Sequence, residues 1–145
     1  MATKKVYVEM KQGSGFKTEC RAGKHIIVID QPTTGGGTDM GPTPLDYQMI
    51  TLGGCVAAIG RIIAKERHLV IRGFEISVEG ELDTNRLLGK PSDKRVGFGV
   101  ITARVKIDSD LSPAEQEELL REIDERCPIS ENLRIATPVN VILTR

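Results

Sequence analysis

TPLDYQMITLGGCVAAIGRIIAK, residues 43–65, predicts one long helix at the centre of the fold. Thr43 is a favourable N-cap, Pro44 suits the first turn, and Asp46 completes a pattern like a capping box. Apolar residues cover nearly every face of this helix, which is typical of a buried position: Leu45, Met49, Ile50, Leu52, Val56, Ala57, Ala58, Ile59, Ile62 and Ile63. Three interior glycines each cost roughly 1 kcal/mol relative to alanine, so we expect another backbone to approach closely there: Gly53, Gly54 and Gly60.

Strand patterns lie on both sides of this helix, where apolar and polar residues alternate. The predicted elements, in chain order, are a strand at 6–10, a hairpin of 16–21 and 24–30, a glycine-rich loop at 31–42, the helix, strands around 74–78 and 101–107 with a polar loop at 83–95 between them, a second helix from Ser112 to Cys127, a short turn from Pro128 to Leu133, and a strand at 139–143. Because helices do not alternate regularly with strands, the order predicts an α+β class rather than a parallel α/β sheet. The length of 145 residues predicts a single domain, residues 1–145.

The composition excludes several classes of function. Lys+Arg and Asp+Glu each number 20, and Trp is absent, so we expect neither a nucleic-acid partner nor a stacking platform for single strands. The first five residues lack the apolar core of a signal peptide. The apolar stretch 45–64 carries Asp46, Arg61 and several glycines, which argues against a membrane span. These features predict a soluble, cytoplasmic protein.

Two of the three cysteines occupy informative positions. Cys55 lies within the long helix, after two glycines, and Cys127 lies where Pro128 must end the second helix. If the fold brings them together, the chain has a thiol pair that can cycle between dithiol and disulfide. Free cysteine is also a common buried residue, so two inert core thiols are an alternative. We interpret Cys20, between Glu19 and Arg21 in a predicted strand, as incidental.

Local electrostatics do not decide which sulfur attacks first. A nucleophilic thiol needs a depressed pKa, and Cys55 is too far from the helix N-terminus for the dipole to supply it. A cation from elsewhere in the fold is required, and the candidates are Arg21, Lys17, Lys24, Arg61 and Arg72. Cys127 would gain from capping a new turn at Pro128, but it also ends an acidic helix, and the two effects oppose each other.

Other motifs carry less chemistry. No Cys-x-x-Cys is present, and His25 and His68 are far apart without ligand-like neighbours, so we expect no metal site. The glycines at 35–37 lack the Lys-Ser/Thr of a phosphate loop, which predicts an ordinary flexible loop. Asp46 can cap the helix or orient a cation near the thiol. Since nine residues put it about half a turn out of phase with Cys55, a joint role needs an intermediary or a second subunit.

Three segments together resemble the OsmC/Ohr family of osmotically inducible and organic-hydroperoxide-resistance proteins: GGGTDMGPTPLD (35–46), LGGCVAA (52–58) and CPIS (127–130). The resemblance covers nearly the whole chain in the same order. It implies an OsmC-like α+β fold in which antiparallel sheets wrap around two central helices, and an intertwined homodimer with active sites at its interface.

The resemblance also implies a mechanism. Cys55 would be the peroxidatic thiolate and Cys127 the resolving thiol of an organic hydroperoxide reductase, an antioxidant enzyme of the oxidative stress response. A small dithiol of lipoyl type would reduce the Cys55–Cys127 disulfide, and no cofactor or metal would be needed.

Two positions depart from the family pattern. The hydroperoxide-resistance branch has Glu directly after the proline matched by Pro44, where this chain has Leu45, and Asp46 fits the OsmC-like branch instead. The family's activating Arg has no counterpart around residues 13–15, and Arg21 is the nearest substitute. The alternatives to a peroxidase are a non-catalytic thiol redox sensor and a small hydrophobic ligand-binding protein.

Overall fold

A computed structural model describes residues 2–145, which form two compact units, 2–48 and 49–145. The first unit contains an antiparallel sheet of three strands in the order β1-β2-β3. The strands are β1 (Glu9–Gln12), β2 (Thr18–Ala22) and β3 (His25–Ile29). Gly23 makes the β2–β3 turn with a φ of 58°, a left-handed conformation that glycine adopts readily. The predicted hairpin is therefore confirmed.

The first predicted strand is displaced along the chain. It begins at Glu9 rather than at residue 6, and Val6 is 76% exposed. All four residues of β1 are exposed as well. The alternating pattern of residues 6–10 therefore has no apolar core to face within its own chain.

The glycine-rich loop after β3 is tightly built rather than loose. The Asp30 carboxylate, whose residue is 1% exposed, accepts hydrogen bonds from the Gln31 amide (2.8 Å), the Met40 amide (3.1 Å) and the Thr38 hydroxyl (2.5 Å). A Cβ on Gly37 would overlap the Gln31 carbonyl. Asp30 thus holds the two ends of the loop together, which differs from the flexible loop expected from the sequence.

The predicted long helix is α1 (Pro44–Glu66). Thr43 and Asp46 form the expected capping box, in which the Asp46 amide donates to Thr43 Oγ1 (3.2 Å) and the Asp46 carboxylate accepts from the Thr43 amide (2.9 Å). The Tyr47 hydroxyl donates to the Val28 carbonyl (2.8 Å), which fixes the first turn of α1 against β3. At the other end, His68 has a φ of 55°, and the Leu69 amide donates to the Ala64 carbonyl (2.8 Å).

The second unit contains the rest of α1, a two-stranded antiparallel sheet and three shorter helices. The strands are β4 (Ile71–Gly80) and β5 (Ile101–Ser109), and the helices are α2 (Thr84–Leu87), α3 (Pro113–Glu125) and α4 (Pro128–Arg134). The α+β class, the strand at 101–107 and the breaks at Ser112 and Pro128 agree with the sequence prediction. The loop predicted at 83–95 differs, because Asp83 accepts from the Asn85 amide and caps α2. The single-domain assignment stays a prediction.

One apolar core holds the second unit together. Its buried members come from α1, both strands, α3 and the α3–α4 junction: Leu52, Val56, Ile63, Ala64, Ile71, Ile107, Leu119, Ile123 and Cys127. Cys55 lies at the edge of this cluster and packs against it. The core therefore joins the helix that carries one thiol to the junction that carries the other.

The three glycines of α1 have different surroundings. A Cβ on Gly60 would lie 2.6 Å from the ring of Phe74, and one on Gly53 would lie 3.4 Å from Val78. Nothing lies within 4 Å of the same position on Gly54. Only Gly60 is thus required by close approach, and the approaching group is a side chain rather than the expected backbone.

The predicted strand at 139–143 is wrong for the chain as described. Residues 136–145 form no helix or strand, and Val141 is 95% exposed. The apolar alternation there favours a strand, but β-structure needs a neighbouring edge to supply its hydrogen bonds.

Helix α1 is long and apolar enough to cross a membrane, by length and composition alone. Five of its residues are buried among the strands and helices of the structure, and Phe74 packs closely over Gly60. These contacts place one face of α1 in the apolar core of the second unit.

Candidate functional site

Cys55 lies in the middle of α1 and is half-buried. The helix is amphipathic around it, since Leu52 and Val56 are buried while Gly54 and Ala58 are exposed. Its sulfur therefore sits at the boundary between the apolar core and the surface of the chain. A thiol at such a boundary is reachable from outside and is still partly shielded from water.

Cys127 occupies the junction between α3 and α4 and is 1% exposed. Pro128, which has no amide proton, ends α3 and becomes the first residue of α4. Cys127 thereby becomes the N-cap of α4, and its Sγ accepts a hydrogen bond from the Ser130 amide (3.4 Å). The sequence left open whether this cysteine caps a new turn, and the structure shows that it does.

The two sulfurs are neighbours. The side chains of Cys55 and Cys127 are hydrogen-bonded to each other, and the Ile129 amide donates to the Cys55 sulfur. Both cysteines are free thiols. The two thiols therefore lie next to each other while both are reduced.

The environment of Cys55 disfavours its thiolate. Burial raises the pKa of Cys55 above its usual value, and the hydrogen bond with Cys127 raises it further, while the Ile129 amide opposes both effects. Among residues 2–145, no cation contributes to this shift. The depressed pKa that a peroxidatic cysteine requires is therefore not provided by the chain as described.

Two of the candidate cations are committed elsewhere. Arg61 donates to the Ile71 carbonyl (2.5 Å) and lies 5.5 Å from the centroid of the Phe74 ring. Arg72 pairs with Asp108 (2.8 Å) and Asp110 (2.9 Å). Arg61 thus satisfies a backbone carbonyl beside the register irregularity in β4, between Ile71 and Gly73. Arg72 ties β4 to the end of β5 and the segment after it. Both arginines therefore have structural roles.

The remaining candidate cations belong to the first unit. Arg21 lies on β2 opposite Glu9 and Ile26 and is exposed. Lys17, directly before β2, and Lys24, in the turn between β2 and β3, are exposed as well. Among residues 2–145 none of the three makes an ion pair within 4.0 Å.

Asp46 has the capping role described above. Its hydrogen bonds with Thr43 lower the pKa of its carboxyl group, so it is ionised at neutral pH. The same carboxylate lines a surface pocket with residues of the glycine-rich loop: Pro32, Asp39, Met40, Gly41, Pro42 and Thr43. Its structural interpretation therefore stands on direct contacts, and a role in catalysis stays a prediction.

Three polar residues beside Cys127 were not recognised in the sequence. Ser130 Oγ donates to Asp124 Oδ1 (2.7 Å), and Arg134 pairs with Asp124 Oδ2 (2.7 Å). The Cys127 amide also donates to the Asp124 carbonyl (3.3 Å). Ser130, three residues after the N-cap, was the one sequence signal for this group. Its partner Asp124 lies in α3, and only the turn between α3 and α4 brings the two side chains together.

An ion-pair network joins the ends of α1 and α3. Arg126 makes two hydrogen bonds to Glu66, of 2.8 and 2.9 Å, and a third to Glu122 (3.1 Å). Arg67 also pairs with Glu122. Exposed pairs each contribute little to stability, but this network directly precedes Cys127 and fixes the junction to the helix that carries Cys55.

The described residues, 2–145, contain no group of three or more His, Cys, Asp or Glu side chains arranged to hold a metal ion. His25 is exposed at the start of β3, and His68 ends α1. Cys20 is 2% exposed on β2, and its Sγ donates a weak hydrogen bond to the Thr18 carbonyl (4.0 Å).

Comparison with known proteins places this arrangement in a family. No curated protein matches the chain. Among solved structures, an OsmC-like protein from Mycoplasma pneumoniae is 22% identical with a TM-score of 0.81, covering 93% of this chain and 91% of its own. An organic hydroperoxide resistance protein OsmC from Legionella pneumophila, described as a predicted redox protein, is 19% identical with a TM-score of 0.69, covering 92% of each chain.

A third solved structure, an organic hydroperoxide resistance protein from Elizabethkingia anophelis, is 14% identical with a TM-score of 0.69, covering 92% of this chain and 90% of its own. These likenesses show a common fold. The family model described as OsmC-like protein matches residues 35–142, which include most of the glycine-rich loop and both cysteines of the pair. The chain therefore belongs to the OsmC-like protein family.

Proposed function

We propose that this protein is a thiol-dependent peroxidase that reduces organic hydroperoxides. The observation that carries the proposal is the contact between the Cys55 and Cys127 thiols, one reachable at the surface and the other buried. In a pair of this kind, the accessible sulfur can react with the oxidant, and the buried sulfur beside it can then form the disulfide. Membership of the OsmC-like family and the names of its solved relatives support the same class of substrate.

The proposed reaction has three balanced steps. The Cys55 thiolate attacks the distal oxygen of a hydroperoxide, which breaks the O–O bond, forms a sulfenic acid and releases an alcohol after proton uptake. The Cys127 sulfur then displaces hydroxide from that sulfenic acid, giving a disulfide and water. A small dithiol of lipoyl type reduces the disulfide by exchange and leaves as its own cyclic disulfide.

Activation of Cys55 has to overcome its raised pKa. We propose that a homodimer completes the site, with Arg21 and Asp46 as candidates for the tuning cation and its carboxylate. Arg21 is exposed, and the Asp46 carboxylate is ionised by its hydrogen bonds with Thr43. A nearby guanidinium would stabilise the thiolate by charge and lower the pKa again.

Exposed apolar residues support the homodimer. They lie on the outer face of α1 (Ile50 and Ile62) and in the C-terminal segment: Val139, Val141, Ile142 and Leu143. Surface of this kind is normally covered by a partner. Sedimentation of the protein as a dimer is expected, and a stable monomer at micromolar concentration would count against the proposed site.

A peroxidase assay tests the function directly. Cumene hydroperoxide and dihydrolipoamide are supplied, and loss of the dithiol is followed. We expect Cys55→Ser to abolish turnover, because oxygen at that position cannot form the sulfenic acid. Cys20→Ala is the matched control and should retain turnover. Full activity of Cys55→Ser would refute the assignment.

The raised pKa of Cys55 favours a second candidate, a thiol redox sensor that oxidises slowly and changes a binding property without turnover. Alkylation of Cys55 by iodoacetamide separates the two, because the reagent reacts with the thiolate. A rate that reaches its plateau near pH 7 supports the peroxidase. A rate that still climbs above pH 9, together with no peroxide turnover, supports the sensor.

We also propose that the protein is cytoplasmic. Three free cysteines, two of them in contact yet unbonded, suit a reducing compartment, where the proposed disulfide would be transient.

A further inference from the structure

The first turn of α4 faces both sulfurs of the thiol pair. The Ser130 amide donates to Cys127 Sγ (3.4 Å), and the Ile129 amide donates to the sulfur of Cys55. Any shift of this turn would therefore change the surroundings of both sulfurs at once. What holds the turn in place then bears on the chemistry of the pair.

Asp124 is the residue that holds it. Its carbonyl accepts from the Cys127 amide (3.3 Å), and its carboxylate accepts from Ser130 Oγ (2.7 Å) and pairs with Arg134 (2.7 Å). Asp124 is thus bonded to the cysteine, to the first turn of α4 and to the last residue of that helix. A helix of seven residues has little stability of its own, so such external bonds decide its orientation.

The charge state of Asp124 suits this role. Burial disfavours its ionised form, but the hydrogen bonds from Arg134 and Ser130 outweigh burial and lower the pKa of the carboxyl group. An ionised carboxylate accepts at both oxygens, and charge-assisted hydrogen bonds are stronger than neutral ones.

We propose that Asp124 is a positioning residue for the Cys55–Cys127 pair, which acts through Ser130 to fix the first turn of α4 on which both sulfurs depend. This inference rests on the proposed function for its biological meaning, but it concerns the disulfide equilibrium itself. Loss of the Asp124–Ser130 link frees the turn. The two thiols are then no longer held ready to bond, and their effective concentration falls.

The test measures the equilibrium between the dithiol and the disulfide in glutathione buffers of set composition, by intact mass after acid quenching. The reaction is balanced, since oxidised glutathione takes two electrons and two protons from the thiols and leaves as two glutathione molecules. We expect Asp124→Ala and Ser130→Ala each to lower the equilibrium constant for the Cys55–Cys127 disulfide about tenfold. The double variant should lose no more than Asp124→Ala alone, because that substitution already removes the acceptor of the Ser130 hydroxyl.

Arg104→Gln is the matched control. It removes another exposed ion pair of the second unit, the one between β5 residue Arg104 and Glu79, and should leave the constant within twofold of the wild type. If Asp124→Ala folds poorly, Asp124→Asn and Ser130→Ala are compared instead, with the folded fraction checked by circular dichroism. A second readout is the lifetime of the Cys55 sulfenic acid, trapped with dimedone, which should lengthen about tenfold in the variants.

The outcomes separate the two proposals. Constants within twofold of wild type in Asp124→Ala and Ser130→Ala, or losses that simply add in the double variant, overturn the role of Asp124. A wild-type protein that forms the disulfide in glutathione but does not consume hydroperoxide overturns the peroxidase and leaves the role of Asp124 standing.

Discussion

The starts of α1 and α4 are built alike and differ in chemistry. At both, the N-cap side chain accepts a hydrogen bond from the amide three residues later: Asp46 to Thr43 in α1, and Ser130 to Cys127 in α4. At α1 the acceptor is oxygen, and the carboxylate that completes the cap lies within the same four residues. At α4 the acceptor is sulfur, and the carboxylate comes from the preceding helix.

The difference shows how one capping geometry serves two purposes. Oxygen is a strong acceptor, and the Thr43 hydroxyl makes its hydrogen bonds with Asp46 within the cap, so the cap of α1 fixes only the start of the helix. Sulfur is a weak acceptor and a good nucleophile, so Cys127 caps α4 while it stays available to Cys55. In the proposed mechanism, it is the tertiary contact with another thiol, rather than the cap itself, that makes Cys127 reactive.

Cys127→Ser would break this comparison most strongly. Serine is a better N-cap than cysteine, so we expect the free energy of unfolding to stay the same or rise. Turnover in the dithiol-linked assay should fall about 100-fold, because no sulfur is left to resolve the sulfenic acid in place. Both quantities are measured on the same preparation, by urea unfolding and by the peroxidase assay. Retained turnover would show that the pair does not act as a pair.

Gly60→Ala disturbs the packing of α1, the helix that carries Cys55. The added methyl group would lie 2.6 Å from the Phe74 ring, so we expect a loss of about 2 kcal/mol in the free energy of unfolding. Gly54→Ala is the matched control, since its methyl group meets nothing within 4 Å and alanine is the better helix former. Equal effects of the two substitutions on urea unfolding would contradict the packing described here.

Thr43→Ala tests the cap of α1. It removes the hydroxyl that accepts from the Asp46 amide, and we expect the free energy of unfolding to fall by about 1 kcal/mol. Ser112→Ala at the start of α3, which has a capping box of the same kind, should cost a similar amount. If Thr43 only caps, turnover at temperatures well below the melting point should not change in either variant.

The pH dependence of Asp46→Asn gives the smallest expected effect. Hydrogen bonds from Thr43 lower the pKa of Asp46 in the folded protein below its usual 3.8, so the unfolded chain binds the proton more readily. The stabilisation by this carboxylate is therefore complete above pH 5 and is lost as the pH falls through the folded pKa. Solvent screens the group, so we expect a deficit of less than about 1 kcal/mol at pH 7. Urea unfolding should show that the deficit shrinks at pH 3, and a constant deficit would contradict the assigned bonds.

Local patterns predicted much of this molecule because they depend on neighbours in the sequence. The cap at Thr43, the cap at Ser112 and the turn at Gly23 are all as expected, since each needs only a few consecutive residues. The strand predicted at 139–143 is wrong because a strand does not depend on neighbouring residues alone. Alternation states a preference for extended backbone, but a strand also needs an edge to pair with.

The candidate site was likewise predicted only in part from the sequence. Residue types and the flanks of Cys55 and Cys127 indicated a thiol pair, and the resemblance to a family suggested which sulfur acts first. Asp124 escaped notice because its carboxylate reaches Ser130 only after the chain turns at Cys127. The raised pKa of Cys55 could not be predicted from the sequence either, since burial and the contact with Cys127 are properties of the folded chain.

Sequence alone determined where α1, α3 and α4 begin, that the long helix is apolar, and that each of the two thiols sits at a distinctive point of the chain. These are consequences of local backbone preference and of side-chain polarity. The tertiary structure decided that the two sulfurs touch, that Gly60 is required while Gly54 is not, and that a carboxylate braces the turn beneath Cys127. Such features depend on distances between residues remote in sequence, which only the packing of the core sets.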